Sequence, residues 1–378
     1  MSIDPTRPLP LLGGLSPAQF MRRYWQKKPC LIRQAIPGVQ PPLARSALFD
    51  LAGSEDVESR LVTRKAGAWK LRHGPFGRRQ LPSTKQADWT LLVQGLDLHV
   101  PAAHELLQQF RFVPEARLDD VMISYATPGG GVGPHTDSYD VFLLQVSGRR
   151  RWRVGPVKDH SLVPGMPVKL LAQFEPTEEW VLEPGDMLYV PPRWGHDGIA
   201  ESEDCMTCSV GFRTPTPTQT ARDVLQRMID ALEAPEQEPH YRDPAQSATD
   251  QPGLIPAALQ TFAAKAVIDA LNDMNSLHCA LGETLTEPKD IVWFAGGEPV
   301  EPGQGARLDA RTRMMFDARC IYINGESFRA GGKDARLMQR LANERRLSAK
   351  DVSALSPDAM DLLNDWACSG WVHGQEKA

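Results

Sequence analysis

The sequence predicts a mainly β protein in which a sandwich or barrel of short strands is followed by helices and a small α+β module. Two observations predict this class. From about residue 12 to residue 214, short β-like runs alternate with Gly/Pro turns, which is the spacing of an all-β sandwich or barrel. Beyond that point apolar residues recur at helical spacing, and the length of 378 residues leaves room for two or three domains.

The first zone, residues 1–214, combines two predicted helices with a series of strands. The helices are SPAQFMRRYWQ and ARSALFDLAG, and the strands are VMISYAT, DVFLLQV, RRRWRV, WVLEPGDMLYV and MTCSVGF. The last strand contains a C-x-x-C pair, Cys205 and Cys208. Residues three apart on a strand point to opposite faces, so we predict two partly buried strand residues and no zinc or redox site.

The second zone, residues 215–274, is predicted to be helical. TPTPTQT supplies prolines and capping hydroxyls, and apolar residues then recur at helical spacing between Val224 and Leu232. A Pro-rich acidic stretch, APEQEPHYRDP, separates this run from a second one, LIPAALQTFAAKAVIDAL. Two helices this short have no core of their own and must bury their apolar faces elsewhere, against the barrel or a second copy of the chain. Of the two, we predict a dimerisation element.

The third zone, residues 275–378, reads as a winged-helix-like α+β domain. Helices are predicted around Ala306–Phe316, Asp334–Arg346 and Pro357–Trp371, and strands in IVWFA, CIYIN and SFRA. A DNA-binding winged helix presents a basic recognition helix, but the last helix here, SPDAMDLLNDWACSG, is acidic. We therefore predict an interaction or packing module.

Composition and charge restrict location and partners. Hydrophobic residues make up 42% and charged residues 24% of the chain, and no run approaches the ~18 apolar residues of a membrane span. The first residues, MSIDPTRPLPLLGG, do not follow the pattern of a signal peptide, so we expect a cytoplasmic protein. With 42 Lys and Arg against 47 Asp and Glu, the chain favours a basic protein partner, and we expect no direct nucleic-acid binding.

The most informative chemistry lies in PHTDSYD and in PPRWGHDG. His135 and Asp137 are separated by one residue, so on a strand both side chains leave the same face and can reach one metal ion. His196 follows a strand and a Pro-rich turn that could return it to the same end of a barrel. Two histidines and one carboxylate are the ligand set of non-haem Fe(II) oxygenases.

Strand alternation in GRRRWRVGP predicts a buried arginine. Arg150 shares a face with Trp152 and Val154, which belong in the core, whereas Arg149, Arg151 and Arg153 face outward. A buried guanidinium needs an anion, so we predict a carboxylate guest or an internal acidic partner. The planar guanidinium suits the distal carboxylate of a dicarboxylic cosubstrate.

The stretch PGGGVGPHTDSYDVFLLQVSGRRRWRVG, with PGDMLYVPPRWGHDGIA and SVGFRTP, resembles the JmjC-type 2-oxoglutarate oxygenases, and among them the bacterial ribosomal oxygenases. The resemblance implies a double-stranded β-helix barrel, a helical dimerisation region and a winged-helix-like domain, in that order. It implies hydroxylation of an arginine β-carbon in the sixteenth large-subunit ribosomal protein. Fe(II) would be the metal, with 2-oxoglutarate and O2 as cosubstrates, and the partners would be a basic ribosomal protein and a second copy of the chain.

Carried over by position, the metal ligands of the family fall on His135, Asp137 and His196, and its cosubstrate arginine falls on Arg150. Members often have a hydroxyl residue shortly before the Gly-rich loop; this neighbourhood reads SYATPGGG, so Ser124 or Thr127 would have to supply it.

An arginine guest would need aromatic or anionic walls. Tyr139, which shares strand parity with Asp137, and the adjacent Asp140 are our candidates for the rim.

Four alternatives stay open at this level. Other JmjC enzymes remove N-methyl groups from lysine, and the ligand set alone does not distinguish the two reactions. A cupin with another metal and no 2-oxoglutarate would leave the inward Arg150 unexplained. A non-catalytic, cupin-like binding protein would not need the complete ligand set, and a transcriptional regulator is disfavoured by the acidic last helix.

Overall fold

A computed structural model describes residues 3–232, 240–329 and 331–375. By its internal contacts the chain divides into two compact units. One comprises the chain up to Thr214 together with Lys289–Phe294, and the other comprises Pro215–Pro288 and the chain from Ala295 onward. Most of the Pro-rich acidic stretch predicted after the first helix of the second zone, residues 233–239, lies outside the described residues.

The first unit is rich in strands. Its helices and strands are, in order, α1 (Pro17–Arg23), β1 (Cys30–Ile32), α2 (Arg45–Leu51), β2 (Ser59–Lys65), β3 (Ala68–His73), β4 (Trp89–Val93), α3 (Pro101–Gln108), β5 (Leu118–Ala126), β6 (His135–Thr136), β7 (Val141–Ser147), β8 (Arg150–Pro156), β9 (Glu178–Leu182), β10 (Met187–Val190), β11 (Trp194–Ala200) and β12 (Cys205–Phe212). The predicted helices form α1 and α2, and the predicted strand runs are present, except that WVLEPGDMLYV forms two strands, β9 and β10. The elements β1–β4, α3 and β11 are additional.

Two antiparallel sheets build this unit. In the described residues the large sheet has the order β1-β10-β7-β12-β5-β4-β2-β3, and the small sheet has the order β6-β11-β8-β9. A core cluster joins Val141 and Leu143 of the large sheet to Trp152 and Val154 of the small one. The two sheets therefore face each other around a shared interior, as in the double-sheet folds that include the cupins.

The outer face of the large sheet is covered by the N-terminal helices. Phe20 of α1 is fully buried against the rings of Phe142 and Tyr189, with ring centroids 5.4 and 5.1 Å away. The start of α1 is fixed by a capping box, in which Ser16 accepts a hydrogen bond from the Gln19 amide at 3.2 Å. Since alternate strand residues enter this outer core, their neighbours are left to line the interior.

The second unit contains the remaining elements. They are α4 (Pro217–Asp230), α5 (Ala257–Leu271), α6 (Met274–Thr286), β13 (Gly305–Leu308), β14 (Met314–Phe316), β15 (Cys320–Ile323), β16 (Glu326–Arg329), α7 (Gly332–Glu344), β17 (Arg346–Leu347), α8 (Ala349–Val352), α9 (Pro357–Cys368) and β18 (Val372–Gln375). Small sheets of order β17-β13-β18 and β14-β15-β16 pack with α7 and α9 around Leu341 and Trp366.

The predicted class, a β barrel followed by helices and an α+β module, is confirmed. The predicted helix around Ala306–Phe316 is wrong, because this segment forms β13 and β14. The Asp309 carboxylate accepts a hydrogen bond from the Arg311 amide at 2.9 Å, which creates a turn where a helix would have continued. IVWFA forms no strand in the described structure, and Trp293 is 74% exposed.

The predicted opposite orientation of the C-x-x-C pair is confirmed, but both cysteines are fully buried and not partly buried. Cys205 is buried with Ala126 and Ala200 at the interior, whereas Cys208 belongs to the outer core, so the two thiols lie on opposite faces of β12. Within the residues described here, no helix is both long and apolar enough to cross a membrane.

Candidate active site

Three side chains that the sequence places up to 61 positions apart converge at one end of the interior. β6 pairs with β11 so that His135 stands opposite His196, with ring centroids 4.2 Å apart. Asp137 follows β6, and its Oδ2 lies 3.5 Å from Nε2 of His196. One ligand atom from each of the three residues lies within 4.8 Å of the others. This geometry allows all three to bind one metal ion.

Both histidines are oriented by backbone carbonyls. Nδ1 of His135 lies 2.9 Å from the Gly133 carbonyl oxygen, and Nδ1 of His196 lies 3.2 Å from that of Trp194. A carbonyl oxygen can only accept, so in each neutral ring the proton is on Nδ1 and the lone pair is on Nε2. Such contacts fix the tautomer and the ring orientation of metal-binding histidines.

The electrostatics favour an ionised carboxylate in this group. Burial alone would raise the pKa of Asp137, but the hydrogen bond to His196 and the two imidazoles outweigh it and lower the pKa to about 2. Burial lowers the pKa of His135. The pKa of His196 is raised despite burial, because Asp137 accepts its hydrogen bond and carries the opposite charge. An anionic oxygen beside two imidazole nitrogens is a donor set for a divalent transition metal.

A Gly-rich loop, which includes Gly129 and Gly130, precedes His135 and fixes its position. The amide of Gly129 donates to the carbonyl of Ala200 at 2.8 Å, and the amide of Ala200 donates to the carbonyl of Gly130 at 2.9 Å. The loop is thereby attached to β11, the strand that carries His196. A Cβ at Gly130 would stand 2.3 Å from the Trp89 carbonyl oxygen, so this approach requires glycine.

Arg150 is buried in the interior, as strand alternation predicts. It is 4% exposed, it stands opposite Ala200 across the strand pair, and its Nε and Nη2 have no hydrogen-bond partner among the described residues. The outward Arg151 pairs with Glu179 and Glu201, and Arg153 pairs with Asp197. Arg150 therefore differs from Arg151 and Arg153 in having a charge but no carboxylate partner among the described residues.

The two predicted hydroxyl candidates are both buried and already engaged. Ser124, on the interior face of β5, donates to the Thr207 carbonyl at 3.4 Å. The Thr127 hydroxyl lies 3.4 Å from both the amide nitrogen and the carbonyl oxygen of Trp89.

The structure separates the two predicted rim residues. Tyr139 is 40% exposed and lies beside Asp137, since its hydrogen bond helps to lower the pKa of that carboxylate. Asp140 is fully buried instead, and it accepts hydrogen bonds from Tyr189 at 2.6 Å and from Gln26 at 3.0 Å. The interpretation of Asp140 as a rim residue is therefore wrong, because its carboxylate is buried and bound by residues of the fold.

Asp120 on β5 is a buried carboxylate that the sequence pattern does not identify as a site residue. It is 3% exposed, and its Oδ2 accepts hydrogen bonds from Gln94 at 2.8 Å and from the Gly95 amide at 3.0 Å. Burial raises the pKa of Tyr139, and the charges of Asp137 and Asp120 raise it further, so Asp120 acts on the same region. Asp120 shares strand parity with Ser124 on β5, and this alternation is the sequence feature that could identify it.

Comparisons with known proteins agree with this geometry. The JmjC domain family matches residues 105–220, and a ROXA-like winged-helix family matches residues 269–373. The ribosomal protein uL16 3-hydroxylase of Escherichia coli K12 is 35% identical over 354 residues, which cover 88% of this chain and 90% of that protein. A probable ribosomal oxygenase of Haemophilus influenzae is 40% identical over 222 residues, 58% of this chain and 52% of that protein. The ribosomal oxygenase YcfD of E. coli, in complex with cobalt and 2-oxoglutarate, is structurally similar with a TM-score of 0.77 and 29% identity, covering 96% of this chain and 99% of that one.

Proposed function

This chain belongs to the JmjC ribosomal oxygenases, and on that premise we propose that it is an Fe(II)- and 2-oxoglutarate-dependent hydroxylase of a ribosomal protein. The substrate that we propose is an arginine β-carbon of the large-subunit protein uL16. The relative in E. coli, which carries the name uL16 3-hydroxylase, supports this choice. The sequence division into residues 1–214, 215–274 and 275–378 remains part of the proposal.

The observation that carries the proposal is the unpaired Arg150 on the same interior face as His196. Val154 stands opposite His196, and Arg150 is four residues earlier on the same strand, a distance of about 13 Å along the backbone. A five-carbon dicarboxylate and an extended arginine side chain can bridge that distance together. A cosubstrate carboxylate would give Nε and Nη2 of Arg150 the partner that the described residues lack.

In this proposal His135, Asp137 and His196 hold Fe(II), and Arg150 holds the distal carboxylate of 2-oxoglutarate. When bound, Fe(II) and 2-oxoglutarate supply the activation of O2 for hydroxylation, with succinate and CO2 as coproducts. Trp152, 5.9 Å from the His196 ring between centroids, and Val154 exclude water from this side of the interior. The carbonyls of Gly133 and Trp194 keep each Nδ1 protonated and thus each Nε2 directed at the metal.

The substrate side of the site is polar and acidic. Tyr139 offers an exposed aromatic ring beside Asp137, and Asp120 supplies a buried negative charge that acts on Tyr139. An arginine guest is a cation with a planar group, so it can stack on a ring and pair with a carboxylate. We assign substrate positioning to Tyr139 and none to Asp120 or Asp140, whose buried carboxylates already accept hydrogen bonds within the fold.

A second copy of the chain is the occupant that we propose for the surface of α5. No residue of this fifteen-residue helix is buried, although it is rich in apolar side chains. The exposed ones include Leu259, Phe262, Val267, Ile268 and Leu271. A single helix that exposes apolar side chains over this length is typical of an interface, and the same helix from two copies can pair under twofold symmetry.

We place the protein in the cytoplasm, where ribosomal proteins are made and assembled, and we expect no direct nucleic-acid binding. On α9 the residues Asp358, Asp361 and Asp365 are exposed and recur on one face of the helix. This acidic face repels a phosphate backbone and is compatible with a basic protein.

The decisive experiment is mass spectrometry of large-subunit ribosomal proteins from a strain that lacks this gene. The proteins are incubated with purified enzyme, Fe(II), 2-oxoglutarate and air. We expect one protein, uL16, to gain one oxygen atom on one arginine, with succinate formed in equal amount. His135→Ala should abolish the gain, whereas His73→Ala, which changes an exposed histidine on β3, should retain it.

Three results would contradict parts of this proposal. Succinate formation without a modified ribosomal protein would keep the chemistry and refute the substrate. Loss of a methylene unit from a methylated lysine would replace hydroxylation by demethylation. A monomer in sedimentation equilibrium at micromolar concentration would refute the role of α5.

A further inference from the structure

The interior contains a buried hydroxyl that nothing in the described structure explains. Thr90 on β4 is fully buried, and its Oγ1 has no hydrogen-bond partner among the residues that the structure describes. A buried hydroxyl without a partner destabilises a fold by roughly 1–3 kcal/mol, and such groups are normally satisfied. The Thr90 hydroxyl therefore calls for an acceptor that the described residues do not supply.

The position of Thr90 is set by strand parity. Its neighbours Trp89 and Leu91 belong to the outer core, so the Thr90 side chain is on the opposite, interior face of the large sheet. Across the strand pair Thr90 stands opposite Ala126, which is also fully buried. Because Ala126 has only a methyl group, its side chain offers no polar atom to the threonine.

From Ala126 the contacts lead directly to Arg150. Ala126 packs with Ala200 and Cys205 in one buried cluster. Ala200 is the cross-strand partner of Arg150 on the small sheet. Thr90 and Arg150 therefore approach the same part of the interior from opposite sheets, and both have buried polar atoms without a partner in the described residues.

Three buried hydroxyls of the neighbouring strands and loop are occupied. Ser124 donates to the Thr207 carbonyl, and Thr207 donates to Oε1 of Gln145 at 2.8 Å. Thr127 donates to the Trp89 carbonyl at 3.4 Å. Among these side chains Thr90 is the one whose hydroxyl hydrogen has no acceptor in the described structure.

We propose that the Thr90 hydroxyl donates a hydrogen bond to the same distal carboxylate that Arg150 binds, and so acts as a positioning residue for the dicarboxylic cosubstrate. The inference rests on the proposed function. The carboxylate supplies the acceptor that Thr90 lacks, while Thr90 and Arg150 together saturate an anion that is removed from water.

The test measures the affinity of the manganese(II)-loaded protein, kept under nitrogen, for two ligands. They are 2-oxoglutarate and 2-oxovalerate, in which a methyl group replaces the distal carboxylate. Thr90→Val should weaken 2-oxoglutarate binding about tenfold, or ~1.4 kcal/mol, and leave 2-oxovalerate binding unchanged. Thr90→Ser should restore 2-oxoglutarate affinity to within about threefold, because it keeps the hydroxyl.

Thermal unfolding without metal or cosubstrate gives an independent readout. Thr90→Val removes an unpaired hydroxyl and keeps the shape, so its Tm should equal or exceed that of the wild type. The matched variant Thr207→Val removes a hydroxyl that has an acceptor, and its Tm should fall.

The outcomes separate the inference from the proposed function. If the wild type binds 2-oxoglutarate and Thr90→Val binds it as tightly, the inference is refuted and the proposed function stands. Equal weakening of 2-oxoglutarate and 2-oxovalerate binding by Thr90→Val would also refute the inference. So would a loss of 2-oxoglutarate affinity in Ser124→Ala that is not seen in Thr90→Val. If the metal-loaded wild type does not bind 2-oxoglutarate, both are refuted.

Discussion

Replacing Asp140 tests whether it supports the fold or contacts the substrate. Its buried carboxylate accepts hydrogen bonds from Tyr189 at 2.6 Å, Gln26 at 3.0 Å and Arg117 at 3.4 Å. The Tyr189 oxygen in turn accepts a hydrogen bond from the Gln26 amide at 2.7 Å, and Gln26 has a left-handed backbone with φ of 55°. Asp140 thus indirectly fixes a strained turn near the end of α1.

The size of the effect follows from these partners. Asp140→Ala leaves the buried Tyr189 hydroxyl without an acceptor, at about 1–3 kcal/mol, and removes a charged hydrogen-bond partner from Gln26 and Arg117. We expect a total loss of about 4 kcal/mol. In a unit of this size each kcal/mol lowers Tm by roughly 2–4 °C, so Tm should fall by about 8–16 °C.

The assay is thermal unfolding of the full chain, together with a double-mutant cycle. Tyr189→Phe alone should lower Tm by about half as much as Asp140→Ala does. Adding Tyr189→Phe to Asp140→Ala should change Tm little further, because both substitutions break the same hydrogen bond. Asp50→Ala, which breaks an exposed pair with Arg78, is the control and should leave Tm unchanged within error. A Tm of Asp140→Ala within about 3 °C of the wild type, or a changed KM for the protein substrate with unchanged Tm, would refute the reasoning.

Three further results are expected. Hydrogen bonds from Arg311 and His373 outweigh burial and lower the pKa of Asp309 from 3.8 to about 2. The ionised Asp309 therefore stabilises the fold by about 2 kcal/mol above pH 4, and this contribution is lost as the pH falls through 2. Asp309→Asn should unfold without that acid dependence, and an acid profile identical to that of the wild type would contradict the expectation. Phe262→Asp on α5 should shift the solution mass from two copies to one, whereas a mass equal to the wild type would contradict the α5 interface. Gly130→Ala places a Cβ 2.3 Å from a carbonyl oxygen and should weaken metal binding at least tenfold in a chelator competition, an expectation that unchanged affinity would overturn.

Strand parity explains why part of the site could be predicted. The alternation of Arg150, Trp152 and Val154 is complete within seven residues of β8, so a local pattern is sufficient to bury the arginine. The pairing of β6 with β11 joins distant parts of the chain, and in the sequence only the chemical type of His196 and the strand and Pro-rich turn before it indicate this pairing.

Other features depend on partners that local sequence does not contain. Asp140 is turned inward by Gln26, 114 positions earlier in the chain. β4 is buried along its whole length, so the alternation that marks an amphipathic strand is missing. In the second unit, α6 contains Gly282, which disfavours a helix, yet glycine is needed there because a Cβ would stand 2.4 Å from the Tyr322 ring.

The two sheets of the barrel carry different parts of the candidate active site. His135, His196 and Arg150 all lie on the small sheet, whereas Thr90, Asp120 and Ser124 lie on the large one. Substitutions on the large sheet can therefore change how cosubstrate and substrate fit without moving the two histidines that bind the metal. Affinity and target choice can change over generations while the metal ligands stay in place.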